Sequence, residues 1–493
     1  MQVAVNRKNI TFNPDPSRVI ARFLFTNNQR ALNTIRFVLE MSEKEASFTL
    51  KQTLRDFSMR HRNISKIFEK HFKNVTHLFS ELNIDPDDID PSKKHLIGSY
   101  FTMEYSIESA AFFNPSMVEH PDQSEIANGS KRVIISFRAT GEGHISSIVF
   151  RTGILDKNNK LSLEPIGNLM EEAEHIRRYI YNKKSFSKKL DEMQEAHRII
   201  PPELILDKLN DEFTYGELRK CIDESRKAIH MASDKEYLFN QIIWLASSHY
   251  ELQFSLDTNI SERVIFPVSA KEKNGIEDAR FVKFMDDDNK TKYYATYTAY
   301  DGTTILPKLL ETEDFYHFKI MPLHGDIVQN KGMALFPRKV NGKYAMLCRL
   351  DGYNNFIAFS DNITIWREAK ILQQPKYPWE LIQIGNCGSP IETEEGWLVI
   401  THGVGPMREY VLGAALFDLD NPEIEIGRAE TPLLIPNTEE REGYVPNVVY
   451  SCGSMVHNDD LIIPYAMSDY SSTYASINLK ELLDELKNQK TFK

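Results

Sequence analysis

The chain has 493 residues, of which 41% are hydrophobic and 26% are charged. These fractions are typical of a soluble globular protein and exclude long disorder, collagen and coiled coils. Its 59 basic and 70 acidic residues are interspersed and give a net charge of −11, so no basic field exists to hold a nucleic-acid backbone.

Four widely spaced cysteines, with no C-x-x-C pair, indicate neither a disulfide framework nor a structural zinc site. They are Cys221, Cys348, Cys387 and Cys452, and we expect them to be buried, reduced thiols. No secretion signal is visible in the first thirty residues, and no run of eighteen apolar residues occurs. We therefore expect a cytoplasmic protein that neither contacts a membrane nor binds a metal or cofactor.

Two stretches are predicted to be helical. Residues 1–95 form an N-terminal extension, in which apolar residues such as Val19, Phe23, Leu32 and Ile35 recur at helical spacing. A second stretch, at about 165–255, reads as a helical insertion. The rest of 96–480 reads as short strands and turns, and 481–493 as a C-terminal tail.

The strands contain a repeat of seven residues that begins with a polar residue or glycine and continues with mostly apolar ones. It occurs as RVIISFR at 132–138, KYYATYT at 292–298, KYAMLCR at 343–349, GWLVITH at 396–402 and DLIIPYA at 460–466. The last three intervals are 51, 53 and 64 residues, and the first, of 160, becomes similar once the helical insertion is removed. Five such units predict a mainly β fold, a five-bladed β-propeller with the insertion after its first blade.

The last position of each repeat predicts a shared site, because equivalent strands of a propeller converge on its axis. These positions are Arg138, Thr298, Arg349, His402 and Ala466, with Asp469 just beyond. Positively charged side chains that recur at the same position of successive repeats indicate a concave site for an anionic ligand.

Two further segments bring charged residues next to strands. Glu277, Asp278 and Arg280 directly precede a tyrosine-rich strand pair, and an acid beside an arginine is by itself usually an ion pair. Lys331 and Arg349 flank a mostly apolar hairpin, so both side chains are candidates for its rim.

An ordered set of motifs carries a family resemblance. They are FNPS at 113–116, SFRA at 136–139, GIEDAR at 275–280, LFP at 335–337, GWL and HGV at 396–404, VPNVV at 445–449 and YAMSD at 465–469. With these motifs the chain resembles glycoside hydrolase family 130, the mannoside phosphorylases and related β-mannosidases, which are five-bladed propellers.

The resemblance implies roles for ten residues. The family's acid matches Asp278, with Ala279 where the family's motif has proline. The residues that match the family's phosphate ligands are Arg138, Lys331, Arg349 and His402. The residues implied to bind the mannosyl unit or to line its pocket are Asn114, Ser116, Asp469, Arg280 and Tyr410.

The basic set favours phosphorolysis over hydrolysis. An inverting glycosidase needs a second carboxylate to activate water, whereas phosphate is already an anionic nucleophile and needs cations to bind it. The resemblance implies that phosphate attacks a terminal β-mannoside of a disaccharide or oligosaccharide and yields α-mannose 1-phosphate. The acid would deliver its proton through a hydroxyl of the mannosyl ring.

Other functions stay open at this point. A β-mannosidase would need a base, for which Glu409, Glu440 and Glu442 lie close to matched motifs. A non-catalytic carbohydrate-binding propeller would keep the pocket without needing Asp278, and a protein-binding scaffold has no motif in its favour. The resemblance also implies a homo-oligomer, while the acceptor sugar and the linkage stay undetermined because acceptor loops vary between related enzymes.

Overall fold

The computed structural model describes residues 3–176, 180–193, 203–228, 249–267, 274–300 and 305–488, together with residues 236, 238, 239, 242, 243, 245, 246 and 272. Strands dominate the region after residue 101, and their pairing is mostly antiparallel between neighbours in sequence. The prediction of a mainly β fold is thereby confirmed.

The N-terminal region contains four α-helices, Asn28–Glu40, Glu43–Phe57, Ile64–Val75 and Pro91–Tyr100, with 3₁₀ turns at Thr76–Leu82 and Pro86–Asp88. Local sequence fixes two helix starts: Ser42 and Glu45 form a reciprocal capping box, and Asp90 caps a helix that begins with proline. The helices enclose a core of their own, which includes Ile35 and Phe79.

Two stretches of the predicted helical extension are strands instead. Strand Val19–Phe23 pairs with Thr102–Ser106, and strand Val5–Arg7 pairs with Ser471–Asn478 near the other end of the chain. Arg7 adds an ion pair to Glu440, with Nε 3.0 Å from Oε1. The start of the described chain is therefore part of the last sheet rather than a separate domain.

Five antiparallel units follow one another along the chain. The first contains strands Ala111–Glu119, Lys131–Thr140, Ser146–Leu155 and Leu161–Leu163; the second contains Gly275–Met285, Thr291–Tyr300, Ile305–Thr312 and His317–Pro322. Both units belong to one twelve-stranded sheet, because Gly275 pairs with Ser146 in parallel register and Arg263–Ile265 also pairs with the first unit.

The other three units form separate sheets. The third contains Ala334–Leu335, Tyr344–Cys348, Asn355–Ser360 and Ala369–Gln373. The fourth contains Gln383–Asn386, Ile391–Thr393, Gly396–Val404, Tyr410–Phe417 and Glu425–Arg428. The fifth contains Val449–Tyr450, Met455–His457, Asp460–Met467 and Ser471–Asn478, and it is completed by Val5–Arg7.

The five sequence repeats occupy equivalent places in these units. Each falls on the strand that pairs with the first strand of its unit: Lys131–Thr140, Thr291–Tyr300, Tyr344–Cys348, Gly396–Val404 and Asp460–Met467. These strands are almost wholly buried, which explains why their apolar residues run consecutively instead of alternating.

The predicted helical insertion is a mixture of helices and short strands. Its described helices are Lys183–Met193, Glu203–Leu206 and Tyr215–Ala228, and its strands are Glu171–Glu172, Glu174–Ile176, Ile180–Asn182, Glu212–Thr214 and Tyr250–Gln253. Tyr250–Gln253 pairs with His317–Pro322, so the end of the insertion extends the sheet of the second unit. The predicted helical stretches at 177–179, 194–202 and 229–235 lie outside the described residues.

The predicted C-terminal tail begins inside a helix. Helix Leu479–Asn488 follows the last strand directly and buries Leu482, Leu483 and Leu486 against the fourth and fifth units. Within the described part of the chain, every helix is too short or too polar to cross a lipid bilayer.

Gly427 provides a test of this helix packing. A Cβ atom added to Gly427 would overlap the backbone carbonyl of Leu486, so we expect Gly427→Ala to lower the free energy of unfolding by about 1–3 kcal/mol. At Gly216, the nearest atom to an added Cβ is Thr214 Oγ1 at 3.9 Å, so Gly216→Ala serves as the control. Thermal unfolding measures both variants, and an equal Tm for the two would contradict this packing.

Candidate active site

A polar cavity of about 360 Å³ lies where all five units contribute residues. Eight of the ten predicted site residues line it. The basic or imidazole side chains are Arg138, Lys331, Arg349 and His402. The others are Asn114, Asp278, Tyr410 and Asp469. Residues up to 355 positions apart in sequence thus surround one space, as expected for equivalent strands that converge.

Irregular backbone places Asn114 and Asp278 in this cavity. The strand register shifts between Phe113 and Ser116 and between Glu277 and Arg280. The first strands of the first and second units therefore each carry a bulge. Asn114 and Asp278 sit in these bulges with φ of 50° and 54°, which is unusual for residues other than glycine. A bulge re-aims a side chain, and here Asn114 Nδ2 donates a hydrogen bond to Asp278 Oδ1.

The two predicted residues that do not line the cavity support it from behind. Ser116 Oγ accepts a hydrogen bond of 3.1 Å from the Phe281 backbone N–H and thereby ties the two bulged strands together. Arg280 is 1% exposed and donates from Nη1 to Asn386 Oδ1 (2.7 Å) and from Nη2 to the Tyr450 hydroxyl (2.7 Å). Both residues position neighbours rather than face the cavity.

Arg138 and Lys331 form one basic pair, and Glu277 lies between them. Arg138 Nη2 donates to Glu277 Oε1 at 2.7 Å, and the Lys331 ammonium donates to Glu277 Oε2. Arg138 also donates from Nε to Ser146 Oγ at 2.9 Å, and its Nη1 lies 3.6 Å from Asp278 Oδ1. The pair is therefore adjacent to the predicted acid.

Arg349 and His402 form a second pair around the Gln383 amide. The amide lies 2.9 Å from His402 Nε2, and in the orientation that satisfies its neighbours its oxygen accepts from both His402 and Arg349. The other imidazole nitrogen, Nδ1, lies 3.2 Å from the Asn386 carbonyl oxygen. Both ring nitrogens of His402 thus already face protein groups.

The surroundings of His402 favour its neutral form, in contrast to the positive charge that its position suggested. Burial lowers its pKa well below the usual value, and the nearby Arg349 and Arg280 lower it further. The positive charge of the cavity is carried instead by Arg138, Lys331 and Arg349, and by Arg408, a lining residue that the motifs did not reveal.

The two aspartates in the cavity are driven in opposite directions. Burial disfavours the ionised form of Asp278, but Lys331, Arg138 and Arg280 outweigh burial and lower its pKa. Burial raises the pKa of Asp469 to about 6, and the charge of Asp278 adds to this, while Arg138 opposes it. The cavity therefore holds one carboxyl group whose ionised form is favoured and one whose protonated form is favoured.

The predicted set of site residues omitted Glu277, which was named only as part of the charged cluster with Asp278 and Arg280, and three polar lining residues, Asn330, Arg408 and Tyr450. Asn330 directly precedes the predicted Lys331, and this adjacency could have identified it as a site residue. Arg408 follows Met407 in a turn where both residues have positive φ, 57° and 58°, and no motif marks such a turn. Tyr450 lies one residue beyond the VPNVV motif.

The three glutamates considered as bases for hydrolysis lie outside the cavity lining. Glu440 accepts hydrogen bonds from Arg7 Nε (3.0 Å) and from the Tyr465 hydroxyl (2.7 Å). Glu409 pairs with Arg441 at 3.1 Å, and Glu442 is exposed. Each therefore has a structural role or a surface position.

A second cavity, of about 390 Å³, lies at the other ends of the same first strands. Its walls are mostly apolar, with Met117, Phe281 and Met455 among them, and none of the ten predicted residues lines it. The smaller, polar cavity is thus the one that the predicted site residues line. Among the described residues, no three His, Cys, Asp or Glu side chains are grouped to hold a metal ion.

Comparison with known proteins agrees with the motifs. Residues 235–488, about half of the chain, match the model of glycoside hydrolase family 130, described as β-1,4-mannooligosaccharide phosphorylase. A β-1,2-mannobiose phosphorylase from Listeria innocua is 30% identical over 253 residues, 50% of this chain and 68% of that protein. The chain therefore belongs to glycoside hydrolase family 130, a family of carbohydrate-active enzymes, and the predicted family is confirmed.

Other similarities cover less of the sequence or concern the fold alone. A 1,2-β-oligomannan phosphorylase from Thermoanaerobacter sp. is 40% identical over 156 residues, 31% of this chain and 52% of that protein, so the match spans about half of that relative. The structure of the Listeria innocua enzyme with β-1,2-mannobiose has a TM-score of 0.46 and 23% identity, with 77% of this chain and 93% of that chain aligned.

The opposite pKa shifts of the two aspartates predict opposite effects on stability. A raised folded pKa means that Asp469 favours the fold below about pH 4 and loses this contribution as the pH rises through about 6. We therefore expect Asp469→Asn to raise the Tm at pH 8 and to have little effect at pH 4.

A lowered folded pKa means that ionised Asp278 favours the fold above its unfolded pKa, so Asp278→Asn lowers the Tm at pH 8.

Thermal unfolding between pH 4 and pH 8 measures both effects. Glu394→Gln changes an exposed carboxylate and serves as the control for the loss of one negative charge. A pH-independent difference between wild type and Asp469→Asn would show that burial does not shift this group.

Proposed function

We propose that this protein catalyses the reversible, inverting phosphorolysis of a terminal β-mannoside, which gives α-mannose 1-phosphate and a shortened acceptor sugar. The observation that carries this proposal is the basic set around Asp278: Arg138 and Lys331 on one side, and Arg349 and Arg408 lining the same cavity. The two named relatives, which are phosphorylases of β-1,2-mannosides, and the family model, which is described as β-1,4-mannooligosaccharide phosphorylase, support the same reaction class.

The charge balance favours phosphate over water as the nucleophile. Four cationic side chains line the cavity, against the carboxylates of Asp278 and Asp469 in the lining and of Glu277 between Arg138 and Lys331, so positive charge is in excess by one. A dianionic phosphate complements this excess, and charge-assisted hydrogen bonds from guanidinium and ammonium groups hold it in place. Hydrolysis would instead need a carboxylate base for water, and Asp469 is the remaining candidate in the cavity lining.

Phosphate binding would also prepare Asp278 as the acid. In the cavity without ligand, Lys331 and Arg138 keep the pKa of Asp278 low, so the carboxylate is ionised at neutral pH. A phosphate dianion beside the same two cations offsets their charge and raises the pKa of Asp278. Proton transfer to the departing sugar, through a hydroxyl of the mannosyl ring, then becomes favourable once phosphate is bound.

The mannosyl unit would lie between Asp278, Asn114 and Asp469. Asn114 fixes the Asp278 carboxylate through its hydrogen bond, and Asp469 offers an acceptor for sugar hydroxyls. Tyr410, whose ring lies 6.0 Å from the His402 ring and nearly parallel to it, adds a flat surface to the wall.

We further propose that the five units close into a propeller around this cavity. Support comes from a ring of contacts between successive units. Parallel backbone bridges join the first unit to the second (Ser146 to Gly275), the fourth to the fifth (Tyr410 to Val448) and the fifth to the first (Gly453 to Ser116). Hydrogen bonds from Thr296 Oγ1 to Met333 O and from Asn386 Nδ2 to Gly332 O join the remaining pairs.

The synthetic direction tests the proposed reaction most directly. Purified protein is incubated with α-mannose 1-phosphate and a panel of glucose, mannose, N-acetylglucosamine and β-mannobioses as acceptors, and released phosphate is measured. We expect acceptor-dependent release that falls by at least about 100-fold in Asp278→Asn, because in this direction the Asp278 carboxylate must take up the proton that the acceptor hydroxyl loses. The productive acceptor identifies the substrate, and product analysis identifies the linkage.

Two other outcomes would replace this proposal. Mannose release from β-mannobiose in phosphate-free buffer, with no acceptor-dependent phosphate release, would identify a β-mannosidase. Sugar binding that survives Asp278→Asn, with no turnover in either direction, would identify a carbohydrate-binding protein.

The neutral state of His402 predicts unequal contributions from the second basic pair. Arg349→Ala removes a permanent charge from the cavity, so we expect the KM for phosphate to rise roughly tenfold or more. His402→Gln exchanges one neutral hydrogen-bonding group for another, so we expect a change below about threefold between pH 6 and pH 8. Steady-state phosphorolysis at varied phosphate measures both variants, and a larger effect of His402→Gln would mean that the imidazole is charged in the complex.

A further inference from the structure

One buried carboxylate holds two cations of the cavity. Glu277 is 7% exposed and accepts hydrogen bonds from Arg138 on one oxygen and from Lys331 on the other. It precedes Asp278 at the strand bulge, so its side chain faces a different direction from that of the acid. A carboxylate that bridges two cations beside an anion site either competes with the ligand or orders the cations for it.

We infer that Glu277 is a positioning residue for phosphate: it holds the Lys331 ammonium and the Arg138 guanidinium side by side at the cavity. This inference rests on the proposed phosphorolysis. It assigns a role to a residue whose importance neither the repeat nor the basic set indicated.

The two cations depend on Glu277 to different degrees. Arg138 also donates to Ser146, lies 4.8 Å from the centre of the Phe113 ring and 3.6 Å from Asp278 Oδ1, so three contacts remain without Glu277. Lys331 has a flexible four-carbon side chain that is 33% exposed, and the hydrogen bond described for its ammonium ends on Glu277. Loss of Glu277 therefore affects phosphate chiefly through Lys331.

Enough donors stay free for phosphate while Glu277 is bound. An ammonium has three N–H donors and a guanidinium has five, and Glu277 takes one from each cation. Phosphate can thus bind to the remaining donors without displacing the carboxylate. The two anions share the cations, and this arrangement favours the ordering role over competition.

The decisive variant is Glu277→Ala in the full chain. Inorganic phosphate binding is measured by isothermal titration calorimetry, and the KM for phosphate and for mannoside are measured in phosphorolysis. We expect phosphate binding to weaken roughly tenfold, with the KM for mannoside changed less than about threefold, because the mannosyl contacts remain. Glu277→Gln keeps an oxygen acceptor and is expected to lie between wild type and Glu277→Ala.

A double-mutant cycle separates positioning from a general structural effect. If Glu277 acts through Lys331, the double variant Glu277→Ala/Lys331→Ala binds phosphate little more weakly than Lys331→Ala alone. Fully additive losses would overturn the inference, as would unchanged or tighter phosphate binding in Glu277→Ala, which would make the carboxylate a competitor.

Glu119 offers a matched control. Its carboxylate also bridges two cations, Lys131 at 2.9 Å and Lys283 at 2.7 Å, but it lies at the far end of the strand that carries Asn114. Glu119→Ala is therefore expected to leave phosphate binding unchanged. If wild type itself neither binds phosphate nor shows phosphate-dependent turnover, the proposed function fails together with this inference, whereas normal wild-type binding that Glu277→Ala leaves unaltered overturns the inference alone.

Discussion

This site depends on one constraint: charged side chains that are buried there need partners of opposite charge. Removing an ionised group from water is costly unless a partner of opposite charge replaces the solvent. Asp278 and Glu277 meet this condition with Arg138 and Lys331, at distances that range from direct hydrogen bonds to 3.6 Å. Arg138 lies on the second strand of the first unit, Glu277 and Asp278 lie on the first strand of the second, and Lys331 lies in the loop before the third. The ionic cluster therefore holds these three segments together.

Strained backbone makes that cluster possible. Asn114, Asp278 and Asp469 all have positive φ, a conformation that costs non-glycine residues free energy and persists only where the surroundings enforce it. The enforcing contacts are visible: Ser116 joins the two bulged strands, and Arg280 links one of them to Asn386 and Tyr450. The two predicted residues that do not reach the cavity thus hold in place those that do.

The sequence predicted the features that repeat and missed those that occur once. The five buried strands carry the same seven-residue pattern, so the sequence revealed all five. Eight of the ten predicted site residues line one cavity. Strand Val5–Arg7 could not be found in this way, because its pairing partner lies more than 460 residues away. Likewise, the neutral state of His402 depends on burial and on two arginines, and residue type alone does not reveal either.

The two aspartates show how one cavity can separate two roles. Both are buried carboxyl groups near three cations. Lys331, Arg138 and Arg280 outweigh burial at Asp278, whereas burial and the charge of Asp278 outweigh Arg138, Arg408 and Lys331 at Asp469. The low pKa of Asp278 therefore depends on its cations, and a ligand that attracts those cations weakens this effect. An anion bound to Arg138 and Lys331 raises the pKa of Asp278 most, because Asp278 relied on them most. In the proposed reaction, the nucleophile itself would then change the aspartate from a charge that binds cations into an acid that can release a proton.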